Sequence, residues 1–317
     1  MRLTVGICAY NEEENLGLLL RNILEHQDIS KNSEVLVVAS GCTDRTVEIT
    51  EEYAITDSRV KVFNEIIREG KASAINKIFA NATGEAIIFI SADTLPWKDC
   101  FKKLLLKLQS PNVGIVCGKP LPINDTNSLA DRLVRMLWSF HDHVFAELND
   151  AGLAKHATEV FCIRRGIVHS IPPETINDDA HIALSAKKKG WLIKYEPGSI
   201  VSICGPRTFT DYVKQRQRIL RGHLQVKKAT GESPQHMLYF LPQHPIISVK
   251  LLAWLIKANG IFMSLVFGLI ELFLNATAVT KKFCKKREVA WSVAQSTKKI
   301  QQPIFSLSSE PLIVQNV

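Results

Sequence analysis

Four short, predominantly apolar runs separated by helix-like segments dominate the first hundred residues. They restrict the architecture more than any other feature of the chain. Residues 3–8, 35–39, 60–63 and 86–91 read as strands, and residues 13–26, 44–53 and 71–80 as helices between them. A strand that is apolar at every position, rather than at every second one, must be covered on both faces, and the intervening helices supply the covers. The pattern predicts an α/β fold with a Rossmann-like, mostly parallel sheet and helices on both faces. Ligands of such sheets bind beyond the carboxyl ends of the strands. Chemistry is therefore expected at Ala9 to Asn11, Ser40 to Asp44 and Ser91 to Asp93.

Beyond residue 120 the pattern becomes mixed. Residues 128–148, 179–189 and 209–228 read as helices, the last basic and amphipathic; residues 160–163, 192–195 and 200–203 read as short strands. The composition shifts near residue 240. An apolar run over 246–256 contains Lys250, a turn falls at Asn259-Gly260, and a second apolar run over 261–279 contains one acid, Glu271. Lys281, Lys282, Lys285, Lys286 and Arg287 follow. The second run approaches the roughly 20 residues needed to span a bilayer. One crossing would separate the basic cluster from the α/β domain, against the positive-inside tendency, so a helical hairpin or helices lying in the interface are expected. A buried helical pair is the alternative that Glu271 keeps open. The expected organisation is an α/β domain over 1–235, divided near 120, a membrane-associated helical segment over 243–287 with a basic flank, and a tail over 288–317.

The chain has 39 Lys and Arg against 31 Asp and Glu, a net charge of +8, which points to acidic partners. The basic residues cluster on the helices of 185–230 and behind the apolar stretch, which favours phosphates and lipid head groups and disfavours nucleic acid. Seven cysteines lie far apart with no C-x-x-C pair, so a structural zinc site is not expected, and reduced thiols in a cytosolic compartment are. The first residues run directly into a strand without a signal-peptide pattern, which predicts a domain that is not secreted.

Several residues are placed to carry chemistry. Asp93 follows a buried strand, where a carboxylate suits a hard divalent cation or caps a turn. Gly70-Lys71 opens a helix whose N-terminus attracts anions, although an exposed Lys at a helix start is common. Asp178-Asp179 stands at a loop–helix junction, as a helix-dipole partner or as a general base. Gln215, Arg218 and Arg221 recur along one helix and could grip a diphosphate or form a solvated basic stripe. His141 and His143 point in different directions on a helix and do not suggest one metal site.

Taken in order, these segments resemble the family 2 glycosyltransferases, which have the GT-A fold. The likeness runs over about residues 3 to 225. Val5-Gly6-Ile7-Cys8-Ala9-Tyr10-Asn11-Glu12-Glu13 is similar to the family's opening strand and "P-x-x-N-E" turn, with Ala9 where proline is usual. Ser40-Gly41-Cys42-Thr43-Asp44-Arg45-Thr46 resembles "D-G-S-T-D-x-T", and Gly70 to Gly84, with Ala74, Asn76 and Ala82, resembles "N-x-G-K-x-x-A-x-N … A-x-G-E". Ser91-Ala92-Asp93 stands where "D-x-D" belongs, Asp178-Asp179 where "E-D" belongs, and Gln215 to Ile219 where "Q-x-x-R-W" belongs.

The resemblance implies that residues 1–120 bind a nucleotide sugar, a UDP- or GDP-sugar, and that 121–235 carry the acceptor and catalytic half. Ala9, Asn11, Glu12, Ser40, Asp44, Lys71, Ala92 and Asp93 would surround the donor, with Mg²⁺ or Mn²⁺ on Asp93. Asp179, beside Asp178, would be the general base, and Gln215, Arg218 and Arg221 would face the diphosphate and acceptor. The implied reaction is inverting transfer to a lipid-linked or saccharide acceptor at the cytoplasmic face of the cell membrane. Ser91 replaces the first acid of the metal motif, Ala39 and Ser40 stand where an acid often contacts the base, and Ile219 replaces a tryptophan typical of processive synthases. The last change favours transfer of single sugars, or a small acceptor. Two alternatives remain: a catalytically degenerate member serving as a membrane-bound partner, and a nucleotidyltransferase. The acidic opening turn, which lacks glycine, disfavours the latter.

Overall fold

The computed structural model describes residues 1–124, 128–234 and 242–280. The expected basic cluster over 281–287 and the tail over 288–317 lie outside the described residues.

The predicted sheet forms, with eight strands: β1 (Leu3–Ala9), β2 (Glu34–Ser40), β3 (Val60–Glu65), β4 (Ala86–Ser91), β5 (Thr94–Pro96), β6 (Val113–Pro122), β7 (Val160–Arg164) and β8 (Leu192–Ile203). Their order is β3-β2-β1-β4-β7-β6-β8-β5. Pairings among β1 to β4 are parallel, as are those of β6 with β8. β7 runs antiparallel to both β4 and β6, and β5 antiparallel to β8. The sheet is thus mixed, with its parallel half at the N-terminal end of the chain.

Two apolar clusters show why the strands are hydrophobic throughout. Val5, Ile7, Val35, Val37, Ile88 and Ile90 face α1 (Leu16–His26) and α4 (Cys100–Leu108) on one side. Val38, Ile87, Phe89, Ile115 and Ile163 face α3 (Lys71–Asn81) and α6 (Asp178–Lys188) on the other. The helix α2 (Thr46–Thr56) lies beside β3 at the edge. Alternate side chains serve alternate faces, so a slip of one residue would exchange the two cores.

Four elements differ from expectation. β5, α4 and β6 occupy a stretch with no strong strand signal, since Gly114, Gly118, Pro120 and Pro122 interrupt β6. The two strands expected at 192–195 and 200–203 are one strand, β8. Pro197-Gly198 interrupts the apolar pattern but not the strand, because β6 pairs with both halves and absorbs the break in a register shift between Cys117 and Lys119.

A third cluster joins α5 (Leu129–Asp150), α7 (Phe209–Thr230), α8 (Pro245–Asn259) and α9 (Ile261–Thr280). The expected turn at Gly260 separates α8 from α9, with φ 76°. Leu251, Leu255, Phe267 and Leu274 are buried against the domain, whereas Ile246, Val249, Leu252, Phe262, Leu265, Leu269, Leu272 and Phe273 are exposed. Among the described residues, one helix is long and apolar enough to cross a membrane. Its window Ile261–Ala278 has a mean hydropathy of 1.9, and 28% of it is buried against the protein.

Candidate functional site

The carboxyl ends of β1 and β4 open onto one cleft made of two adjoining cavities. The first, about 250 Å³, is lined by Ala9, Tyr10, Glu12, Ser40, Ala92 and Asp93 among others. The second, about 190 Å³, lies between the sheet, α5, α7 and α9, and contains Asp178 and Asp179. Lys71, Ser91, Trp138, Glu159, Gln215 and Arg218 line both. The separately read segments of the sequence therefore converge: eight of the candidates face the first cavity, and Asp178 and Asp179 face the second across the shared wall.

Each side chain is held by its local structure. Gly70 precedes α3 with φ 94°, a conformation that only glycine adopts without strain, and this turn delivers Lys71 to the cleft. Lys71 Nζ lies 3.0 Å from Asp178 Oδ2. Burial opposes the charge on Lys71, but the carboxylates of Asp178, Glu159 and Asp179 outweigh it and hold its pKa above the ordinary lysine value. A cation is therefore fixed where the two cavities meet.

The loop before α6 is tied to α7 by three hydrogen bonds. Asn177 Nδ2 donates to the Ile219 carbonyl at 3.1 Å, Gln225 Nε2 donates to the Glu174 carbonyl at 2.7 Å, and Ile176 N–H donates to Gln225 Oε1 at 2.9 Å. Gly222 permits this approach, because a Cβ there would sit 2.3 Å from Asn177 Oδ1. Asn76 adds two bonds of 2.8 Å to the backbone of Ile171. Asp178 and Asp179 are thus set against Gln215 and Arg218 by a rigid junction.

Asp179 Oδ1 accepts from the Ala180 N–H at 2.7 Å, and its Oδ2 lies 3.8 Å from His156 Nδ1. Burial raises its pKa above the usual carboxylate range; His156 and Lys71 pull it down, and Asp178 and Glu159 push it up. His156 Nδ1 also contacts the Ala157 carbonyl. In the first cavity, Asp93 is pushed up to about 7 by burial and by the negative charges of Glu12 and Glu159. Ser91 donates to Glu159 Oε2 at 2.9 Å.

Among the described residues no group of three His, Cys, Asp or Glu side chains could hold a metal ion alone. The oxygen chemistry of Asp93 and the excess negative charge around it nevertheless suit a hard divalent cation that takes its remaining ligands from phosphates and water.

Asn11, Asp44 and Arg221 line neither cavity. Asn11, in the left-handed region at φ 52°, exchanges hydrogen bonds with Thr43. Asp44 accepts from the Thr46 N–H at 3.0 Å and the Glu13 N–H at 3.1 Å. These two residues knit together the turns after β1 and β2. Arg221 stands six positions past Gln215, which at 3.6 residues per turn places it about 120° around the helix. Its Nε donates back to the Gln217 carbonyl.

Sequence reasoning missed Glu159, His156, His223, Trp138, Tyr10 and Arg68. Glu159 had a usable signal, an acid immediately before the buried strand β7. The Arg68 guanidinium stacks 3.6 Å above the Tyr10 ring, and both line the first cavity. His141 and His143 diverge as expected: His141 lines the second cavity, whereas His143 stacks on Trp254 at 3.6 Å.

Comparison with known proteins gives concordant results. Residues 4–171, more than half of the chain, match the family described as Glycosyl transferase family 2. The chain is 26% identical over 235 residues to a probable glycosyltransferase, YdaM, of Bacillus subtilis, covering 70% of this chain and 55% of that protein. It is 24% identical over 257 residues to poly-beta-1,6-N-acetyl-D-glucosamine synthase of Staphylococcus aureus, covering 78% and 61%. The chain thus spans little more than half the length of these relatives. In fold it is similar to a mannosyltransferase of Pyrobaculum calidifontis solved with GDP-Man and Mn²⁺, with a TM-score of 0.63, 21% identity, and coverage of 90% of this chain and 88% of that one. It is also similar to TarS of S. aureus, with a TM-score of 0.51, 17% identity, and coverage of 88% and 90%.

Proposed function

The chain belongs to glycosyl transferase family 2, and from that premise we propose that it moves a sugar, with inversion, from a nucleotide-diphosphate donor to an acceptor at a membrane surface. The observation that carries the reading is the shared wall of the two cavities. Lys71, Gln215 and Arg218 line both the chamber that contains Asp93 and the one that contains Asp179. The relatives' names and the GDP-Man and UDP-GlcNAc complexes of similar folds support a nucleotide-sugar donor, UDP- or GDP-linked.

In this reading the donor lies along the first cavity, with its diphosphate toward Lys71 and Arg218. Both side chains carry positive charge toward the bond that breaks. Asp179 takes the proton of the acceptor hydroxyl as that oxygen bonds to the anomeric carbon. The electron pair of the broken bond leaves with the nucleoside diphosphate. A single displacement of this kind inverts the anomeric centre. The junction of Asn177, Gly222 and Gln225 keeps Asp179 at a fixed distance from the leaving group, which is the positioning that such a reaction requires. Asp93 would hold a divalent cation, Mg²⁺ or Mn²⁺ as with the Mn²⁺ of the mannosyltransferase complex, which when bound offsets the charge of the diphosphate.

Release of UDP or GDP from a panel of nucleotide sugars, with Mn²⁺ added and then chelated, tests this reading. Metal-dependent release from at least one donor is expected; its absence from every donor would leave the degenerate-partner reading standing.

The apolar face of α8 and α9 supports attachment to a membrane; the cytoplasmic face and a lipid-linked acceptor are the finer form of the proposal. The chain is expected to sediment with anionic phospholipid vesicles. Replacing Phe262 and Phe273 together by Ser should weaken that binding by at least about tenfold, since each buried aromatic contributes roughly 1.5–3 kcal/mol. Unchanged sedimentation of the double variant would remove this face as the anchor.

A further inference from the structure

We propose that the cavity beyond Asp179 is an acceptor subsite for an apolar chain, such as the hydrocarbon portion of a lipid-linked acceptor. The inference rests on the transferase reading, because that reading assigns the first cavity to the donor and Asp179 to the acceptor hydroxyl.

The second cavity has a lining that sugar transfer does not explain. Leu137, Phe140 and Val144 of α5, Ile176, Ile219 of α7 and Phe267 of α9 all face it. Leu137, Phe140, Val144 and Phe267 are buried, so their contact is with the cavity and the core, not with bulk water. Arg216 and Glu271, which also line it, are paired with each other at 2.6 Å, and the polar part of the lining lies with Asp178, Asp179, Asn177 and Thr158. Along the stretch formed by Leu137, Phe140, Val144, Ile219 and Phe267, a hydroxyl-rich sugar would meet no side chain able to replace its hydrogen bonds to water. A hydrocarbon chain loses nothing there and gains the burial of its surface.

Continuity with the exterior points the same way. The helix α9 supplies Phe267 to the inside of the cavity, and its opposite side exposes Phe262, Leu265, Leu269, Leu272 and Phe273. One helix thus separates a lipid-compatible surface from a chamber with a lipid-compatible stretch, and Asp178 and Asp179 line that same chamber. A chain entering beside α9 would bring its polar end to the proposed base, while the donor occupies the other cavity.

The test uses the full chain and n-alkyl β-glucosides of increasing length, kept below micelle formation, with binding measured by calorimetry. Affinity is expected to rise with chain length by up to about fourfold per methylene, until the cavity is filled. Val144→Phe, which fills the chamber, should flatten this dependence while UDP or GDP binding with Mn²⁺ stays within about twofold. Leu137→Ala, which enlarges the chamber, should shift the plateau to longer chains. It provides the second reading if Val144→Phe does not fold. Affinity indifferent to chain length in the unmodified protein overturns the proposal. So does an identical dependence in both variants, because the chains would then lie on the exposed face of α8 and α9. A normal chain-length dependence in a protein that binds no nucleotide would support the subsite and sink the transferase reading instead.

Discussion

Asp179→Asn is expected to lower the rate of sugar transfer by about 10²–10⁴-fold, the span of rate enhancement a well-placed general base provides. The substitution keeps the size and shape of the side chain but removes its capacity to accept a proton. Asn can still accept from the Ala180 N–H with its amide oxygen, so the start of α6 has no reason to unwind. The first cavity, proposed above for the donor, does not include this residue. Nucleotide-sugar binding, followed by calorimetry with Mn²⁺ present, should therefore change by less than about threefold while turnover collapses. Turnover within about fivefold of the unmodified enzyme would remove Asp179 as the base. A pH profile supplies a second readout. Burial raises the Asp179 pKa above the usual carboxylate range. The base must be deprotonated to act, so activity is expected to be full above the raised pKa and to fall as pH drops through it. The acid limb should thus lie above the pH of about 4 at which an unperturbed Asp titrates. His156→Ala should move that limb upward further, because its charge is the largest influence lowering the Asp179 pKa.

The pieces of this site were legible in the sequence where chemistry follows a strand end. Asp93 and Asp179 could be singled out because each terminates a buried run or opens a helix, and those positions are fixed by local pattern. Their convergence was not legible from pattern alone. It depends on β7 inserting antiparallel between β4 and β6, a pairing the apolar pattern does not disclose, which brings Glu159 at the strand's start and His156 just before it to the cleft. The same limit explains β6, whose glycines and prolines erase the apolar signal although both of its neighbours pair with it. Arg221 failed to reach the cleft for a geometric reason: a spacing of six residues does not return to one face of a helix. Asn11 and Asp44 carry motif-like spacing, yet their side chains are engaged in joining two turns. Asn177, Gly222 and Gln225, which orient the acids, have no sequence signature, because their role is only to fit one another.

Glu271→Ala is expected to destabilise the protein by about 3–5 kcal/mol, the cost of leaving one member of a buried ion pair without its partner. Glu271 is the single acid in the apolar helix α9 and is 1% exposed. Its carboxylate accepts from Arg216 Nη2 at 2.6 Å, from Arg216 Nε at 3.0 Å and from the Tyr212 hydroxyl at 3.0 Å. Both oxygens are engaged, so removal strands a guanidinium that is itself buried. Arg216 lies next to Gln215 and two residues before Arg218, so loosening it would also disturb the helix that lines both cavities. Two further variants separate charge from packing. Arg216→Met combined with Glu271→Leu should recover most of the loss, since an apolar pair of similar volume carries no desolvation cost. Glu271→Gln should fall between, because it keeps hydrogen-bonding atoms but not the charge. Denaturant unfolding of the three variants decides the matter. If Glu271→Ala costs less than about 1 kcal/mol, α9 is not fastened to α7 by this pair. The same result would weaken the subsite proposed above, whose far wall depends on α9 staying in place.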